Sequence, residues 1–151
     1  MSIRETASRR IDAPPAVVFG LLIDVSKLPE WNRAITDVVE APSQLAAGTT
    51  WKVRIRALGK SWVSRSQVSE LDPAARRFSY RSQSDDGNPS YADWAWQVDS
   101  DDGNGSMVSV TVDLEPMTFW RKHLLVKIRR PALRSEMQAS LSALGAALHA
   151  I

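Results

Sequence analysis

Few residues in this sequence are equipped for covalent or metal chemistry. There is no cysteine, which excludes disulfide scaffolds, thiolate metal sites and thiol catalysis. The two histidines, His123 and His149, stand far apart in segments that read as helical, and neither has a partner at metal-ligand spacing. No Ser–His–Asp grouping in a recognisable context and no Gly-rich phosphate loop occurs. The stretches Ser84-Asp85-Asp86-Gly87-Asn88 and Ser100-Asp101-Asp102-Gly103-Asn104 repeat the same five residues. They lack the alternate-position ligands and closing glutamate of a calcium loop. They read instead as hairpin turns, in which glycine accepts a positive φ. No metal and no cofactor is expected.

What the sequence does carry is a set of rings. Six tryptophans in 151 residues is a high count. Trp31, Trp51, Trp62, Phe78, Tyr80, Trp94 and Trp96 could wall a pocket while each tryptophan still offers one N–H. Alternatively, they simply fill a core. The pocket candidates are Trp31, Trp51, Val53, Ile55, Phe78, Tyr80, Trp94, Trp96, Val110 and Val112. Among polar strand residues, Arg54 and Arg56 fall opposite Trp51 and Val53 and are expected in solvent. Arg65 and Gln67 share a face with Val63, but the parity of their strand is unclear. An inward Arg65 would bind a carboxylate or enolate oxygen, although arginine is rarely buried unpaired. Asp93 lies opposite the aromatic face and is expected to be exposed.

These residues need elements to position them. Residues 3–11 alternate weakly and read as a first strand, ended by Ala13-Pro14-Pro15, since proline suits a helix's first turn. Val17, Val18, Leu21 and Leu22 give one face of a short helix. Ser26 is the expected N-cap of a second helix through Trp31. Up to about Glu115 the chain reads as six strands. Ile35–Glu40 comes first, followed by a strand in which Trp51, Val53 and Ile55 alternate with cations. Ser61–Leu71, Arg76–Gln83, Tyr91–Asp99 and Met107–Glu115 complete the set, with tight turns that make an antiparallel meander. Leu133, Met137, Leu141, Leu144 and Leu148 then form an amphipathic stripe about four turns long. Pro131 is expected to kink or break the helix ahead of it.

A curved antiparallel sheet needs its apolar face covered, and the terminal helix has the length to do it. The expected class is α+β: a helix-grip fold, in which a curved antiparallel β-sheet wraps a long C-terminal helix and two short helices separate the first and second strands. The length fits one domain over residues 1–151. No apolar run reaches ~18 residues and no leader pattern opens the chain, so a cytoplasmic location is expected.

The sequence resembles the SRPBCC (START-like, helix-grip) superfamily, in its polyketide cyclase/dehydrase and lipid-transport branch. The resemblance rests on Ile11-Asp12-Ala13-Pro14-Pro15-Ala16-Val17-Val18-Phe19, then Leu21-Leu22-Ile23-Asp24, then Leu28-Pro29-Glu30-Trp31-Asn32. Gly48, Val68-x-x-Leu71-Asp72-Pro73, Trp94-x-Trp96 and Gly105 ahead of Val108-x-Val110-x-Val112 extend it over nearly the whole chain. It implies a cavity between sheet and long helix for a lipid-, sterol- or polyketide-like molecule, and in some members cyclisation or dehydration there. One such fold hosts many functions.

Charge adds one more feature. The net charge is +2, but Arg121, Lys122, Lys127, Arg129, Arg130 and Arg134 fall in one acid-free segment, leaving the rest of the chain net acidic. Phe119, Trp120, Leu124, Leu125 and Ile128 interleave with them. Such a helix could lie on an anionic membrane, or pack its apolar side on the sheet with its cations solvated. No nucleic-acid-binding motif accompanies the patch, and no nucleic-acid partner is expected. The leading expectation is a non-catalytic carrier of a small hydrophobic molecule, held in a cavity of ~300 Å³ or more. The alternative is a polyketide cyclase or dehydratase working in the same cavity, and the third reading is membrane or partner docking through residues 121–134.

Overall fold

The computed structural model describes residues 3–57, 59–87, 89–115 and 126–149. Strand β1 (Ile3–Ile11) leads into helix α1 (Pro15–Leu22), a single 3₁₀ turn (Val25–Lys27) and helix α2 (Leu28–Trp31). Strands β2 (Ile35–Glu40), β3 (Thr50–Ala57), β4 (Lys60–Asp72), β5 (Arg77–Ser84), β6 (Tyr91–Asp101) and β7 (Gly105–Glu115) follow, and α3 (Val126–His149) comes last. Pro15 opens α1 at its first position and Pro14 caps it in extended geometry, because proline's missing N–H is an unpaired donor there in any case. Ser26 does not cap α2. Its hydroxyl donates to the Asp24 carboxylate, and a 3₁₀ turn delivers the chain to α2 instead. Val17 is exposed and Phe19 is buried in its stead, since Val18, Leu21, Leu22 and Val25 form the i, i+3, i+4, i+7 stripe and Val17 lies beside it.

The seven strands form one antiparallel sheet in the order β1-β7-β6-β5-β4-β3-β2. β1 and β2 are close in sequence but lie at opposite edges, so α1 and α2 must bridge the end of the curved sheet. Irregularities bend the strands. In β4 the register slips between Val68 and Glu70, a bulge at Ser69 that lets both Val68 and Leu71 contribute to the core although they are three residues apart. β2 slips twice against β3. On the outer face a row of polar side chains crosses the sheet. Arg4 pairs with Asp113, and Arg81 with Asp93, each by two hydrogen bonds, while Asp93 and Asp113 sit opposite one another.

α3 packs on β1, α1 and α2. Leu133, Met137, Leu141, Leu144 and Leu148 are all buried, so the periodic stripe is the packed face. Fully burying each such side chain is worth ~1.5–3 kcal/mol. The helix runs through Pro131 without a break. Proline there forfeits one ladder bond, to the carbonyl four residues back, near the start of the described helix, and the turns beyond it remain complete. Val98, Val108, Val110 and Val112 supply the floor beneath. Among the described residues no helix is long and apolar enough to cross a membrane.

Candidate functional site

α3 lies nearest β1, and the inner face of β3 to β6 carries a cavity beside it. Strand alternation sets its wall: Trp51, Val53 and Ile55 from β3, Ser64 and Ser66 from β4, Tyr80 and Ser82 from β5, Trp94 and Trp96 from β6. Leu28, Asn32, Ala34 and Ile35 close one side, and Glu136, Met137 and Ser140 of α3 close another. The cavity measures about 70 Å³, so the expected ~300 Å³ or more, at which small-molecule pockets begin, is not met. It is narrow in this conformation, with Met137 among its lining residues. The unbranched thioether chain of methionine is the side chain best suited to moving aside.

The rings interlock. Trp51 meets Tyr80 edge-on at 4.9 Å between centroids, Tyr80 stacks on Trp94 at 6.2 Å, and Trp31 meets Trp96 edge-on at 5.5 Å. Diagonal pairs across β5 and β6 add hydrogen bonds. Trp96 Nε1 donates to the Tyr80 hydroxyl at 3.2 Å, and Trp94 Nε1 donates to Ser82 Oγ at 3.1 Å. Across the cavity, the Arg33 backbone N–H donates to Ser140 Oγ at 3.3 Å. Burial pushes the Tyr80 phenol up to about 12, partly opposed by the hydrogen bond from Trp96, so the phenol stays protonated throughout the neutral range. Glu136 is the sole charged side chain among the described lining residues. No group of described residues could hold a metal ion.

Six of the ring and aliphatic candidates meet at the cavity: Trp51, Val53, Ile55, Tyr80, Trp94 and Trp96. Trp31, Phe78, Val110 and Val112 are buried in the core instead. Val110 and Val112 lie on the inner face of β7, toward the side where the helices pack. Phe78 packs against Trp51 and Tyr80, and Trp31 belongs to α2 and meets Trp96. Arg65 and Gln67 point outward and are exposed, because Ser64, Ser66 and Val68 hold the inward parity of β4. Gln67 borders an open outer depression with Arg81 and Asp93. Arg54 and Arg56 are exposed as expected, whereas Asp93 is half-buried on the outer face. Sequence reasoning missed Asn32, Ser64, Ser66, Ser82, Glu136 and Ser140. The available signal was positional, since Ser64 and Ser66 alternate in step with Val68, and Ser82 with Phe78 and Tyr80.

Of the basic segment, Arg121 and Lys122 lie outside the described residues, as do the side chains of Lys127, Arg129 and Arg130. Arg134 is described and forms an ion pair with Glu5.

Comparison with known proteins agrees with this architecture. Residues 2–149 match the family model described as polyketide cyclase / dehydrase and lipid transport. Among solved structures, the Zhui aromatase/cyclase of a Streptomyces species superposes with a TM-score of 0.80 at 17% identity, over 99% of this chain and 94% of that one. The Thermus thermophilus protein TTHA0849 gives 0.78 at 22% identity, over 98% of each chain. The protein Ara h 8.0201 gives 0.77 at 18% identity, over the whole of both. No curated protein matches the sequence. With a family match along almost its entire length and a seven-stranded sheet set against a long terminal helix, the chain belongs to the polyketide cyclase/dehydrase and lipid-transport family of SRPBCC proteins.

Proposed function

We propose that the chain binds and carries a small hydrophobic ligand in the cavity between the inner face of β3–β6 and helices α2 and α3. The aromatic wall of Trp51, Tyr80, Trp94 and Trp96 beside Met137 carries this reading. Its driving force is desolvation, worth roughly 25 cal/mol per Å² of apolar area removed from water. Because the cavity is narrow, binding requires Met137 to change rotamer and α3 to ease away from the sheet. Three indoles line the wall, so occupancy reports itself. A titration with an apolar fluorophore such as 8-anilinonaphthalene-1-sulfonate should quench tryptophan emission saturably, and solvent extraction of gently isolated protein should release a stoichiometric apolar compound. A protein that yields no compound and shows no saturable quenching is not a carrier of this kind.

A second reading, a cyclase or dehydratase acting in the same cavity, draws support from Tyr80, Ser82 and Glu136 facing one space. General acid–base groups must come within ~3 Å of the reacting atoms, and Tyr80 and Glu136 are the candidates. If this reading holds, Glu136→Gln abolishes turnover of a polyketide-like substrate while binding persists. Undiminished turnover removes Glu136 from any catalytic role.

A further inference from the structure

Each hydroxyl given a hydrogen-bond partner in the cavity wall accepts a hydrogen bond from the protein and donates none among the described residues. Tyr80 accepts from Trp96 Nε1, Ser82 from Trp94 Nε1, and Ser140 from the Arg33 backbone N–H. An indole N–H and an amide N–H can only donate. The oxygens are therefore committed as acceptors toward the protein, and each O–H hydrogen remains to be given to something else. Among the described residues none of the three finds an acceptor. The three hydroxyls sit on β5 and α3, on two sides of one cavity.

We infer that Trp94 and Trp96 are positioning residues that fix Tyr80 and Ser82 as hydrogen-bond donors toward the cavity. The cavity then selects a neutral apolar ligand bearing carbonyl-type acceptors over a hydrocarbon or a carboxylate of the same shape. The inference rests on the proposed binding of a hydrophobic ligand and adds the chemical class. A carboxylate is disfavoured because no cation is among the described lining residues to pair with it. A hydrocarbon leaves the donors unpaired once water is expelled, and a buried donor without a partner is costly. The Tyr80 phenol is protonated across the neutral range at its ordinary value and more securely at its raised one, so its donor is always present.

Three probes of one shape test this: 2-acetylnaphthalene, 2-ethylnaphthalene and 2-naphthoate, titrated by calorimetry. The ketone is expected to bind about tenfold more tightly than the hydrocarbon, the ratio one good hydrogen bond supplies, and the carboxylate least tightly. The carbonyl stretch of bound 2-acetylnaphthalene should move to lower frequency than in hexane, a readout that needs no variant. Tyr80→Phe should reduce the ketone's advantage over the hydrocarbon, and Tyr80→Phe combined with Ser82→Ala should bring it close to unity. Trp96→Phe, which keeps a ring but removes the N–H, should reduce that advantage and the carbonyl shift together, effects that loss of packing alone would not produce. Equal binding of ketone and hydrocarbon with an unshifted carbonyl overturns the inference and leaves the hydrophobic site standing. Tightest binding of 2-naphthoate overturns it as well. Failure of all three to bind overturns the binding reading and this inference together.

Discussion

Arg134 Nε lies 2.7 Å from Glu5 Oε2, joining the third turn of α3 to the inward face of β1. Glu5 is a buried carboxylate between Ile3 and Ala7, and the Arg134 side chain is 61% exposed. The hydrogen bond to Glu5, then the charge on that carboxylate, holds the guanidinium above its already high usual value. A cation raised in this way contributes stability that is complete below its unfolded value and is lost only in strong alkali above it, so Arg134 itself introduces no pH dependence near neutrality. Glu5→Gln should lower the thermal midpoint, by at most roughly 2–4 °C because water screens one partner. A double-mutant cycle with Arg134→Met should show favourable coupling in thermal denaturation. Additive effects would mean the pair contributes nothing.

Arg134 is engaged with Glu5, so the test of docking on an anionic membrane is made at Arg129 and Arg130. If the segment docks there, reversing both charges abolishes sedimentation with phosphatidylserine vesicles. Unchanged sedimentation disposes of the membrane reading.

Tyr80 should make stability fall in alkali. Its phenol is raised from 10.0 to about 12 by burial, so the folded state holds this proton more tightly than the unfolded chain. The contribution is complete below the unfolded value of 10.0 and is lost as pH rises through about 12. The amount is on the order of 3 kcal/mol. Urea midpoints measured on both sides of pH 10 should decline for the wild-type protein, and the part due to Tyr80 should be missing from Tyr80→Phe.

Leu144 and Met137 occupy one stripe of α3 and should respond differently. Leu144 is fully buried in the core, and Leu144→Ala should cost ~2–5 kcal/mol by the loss of its packing. Met137 borders the cavity. Met137→Ala should also destabilise, yet it enlarges the cavity and should tighten the binding of the larger apolar probes. Weaker binding of every probe would show that Met137 supplies contact surface and does not obstruct the site.

Trp31 Nε1 is buried without a hydrogen-bond partner among the described residues, while its ring packs edge-on against Trp96. An unsatisfied buried donor costs ~1–3 kcal/mol. Trp31→Phe removes that donor and keeps a ring, so its chemical-denaturation midpoint should lie near wild type. Trp31→Ala should cost ~3–5 kcal/mol. A large loss in Trp31→Phe would show that indole size outweighs the stranded N–H.

The sequence by itself determined the elements and their faces. The Ala13-Pro14-Pro15 break, the 3.6-residue stripe from Leu133 to Leu148 and the alternations from Trp51 to Ile55 and from Trp94 to Val98 are local patterns. They follow from backbone sterics and from helix and strand periodicity. Tertiary structure alone decided depth. Alternation places Phe78, Tyr80, Trp94, Trp96, Val110 and Val112 on one face, but it cannot say which part of that face the helices cover. Helix coverage made Val110 and Val112 core, and packing against Trp51 and Tyr80 buried Phe78, while Tyr80, Trp94 and Trp96 reached the cavity. Parity in β4 was ambiguous for a related reason. Val63 marks the face of Arg65 and Val68 the opposite one, while Ser64 and Ser66 carry no apolar mark, so only pairing with β3 and β5 decided between the two faces. Arg134 found Glu5, and Tyr80 found Trp96, because hydrogen bonding joins groups by position in space. The 16-residue separation of Tyr80 and Trp96 is spanned once β5 and β6 pair in register, whereas the 129-residue separation of Glu5 and Arg134 is spanned only when α3 settles against β1.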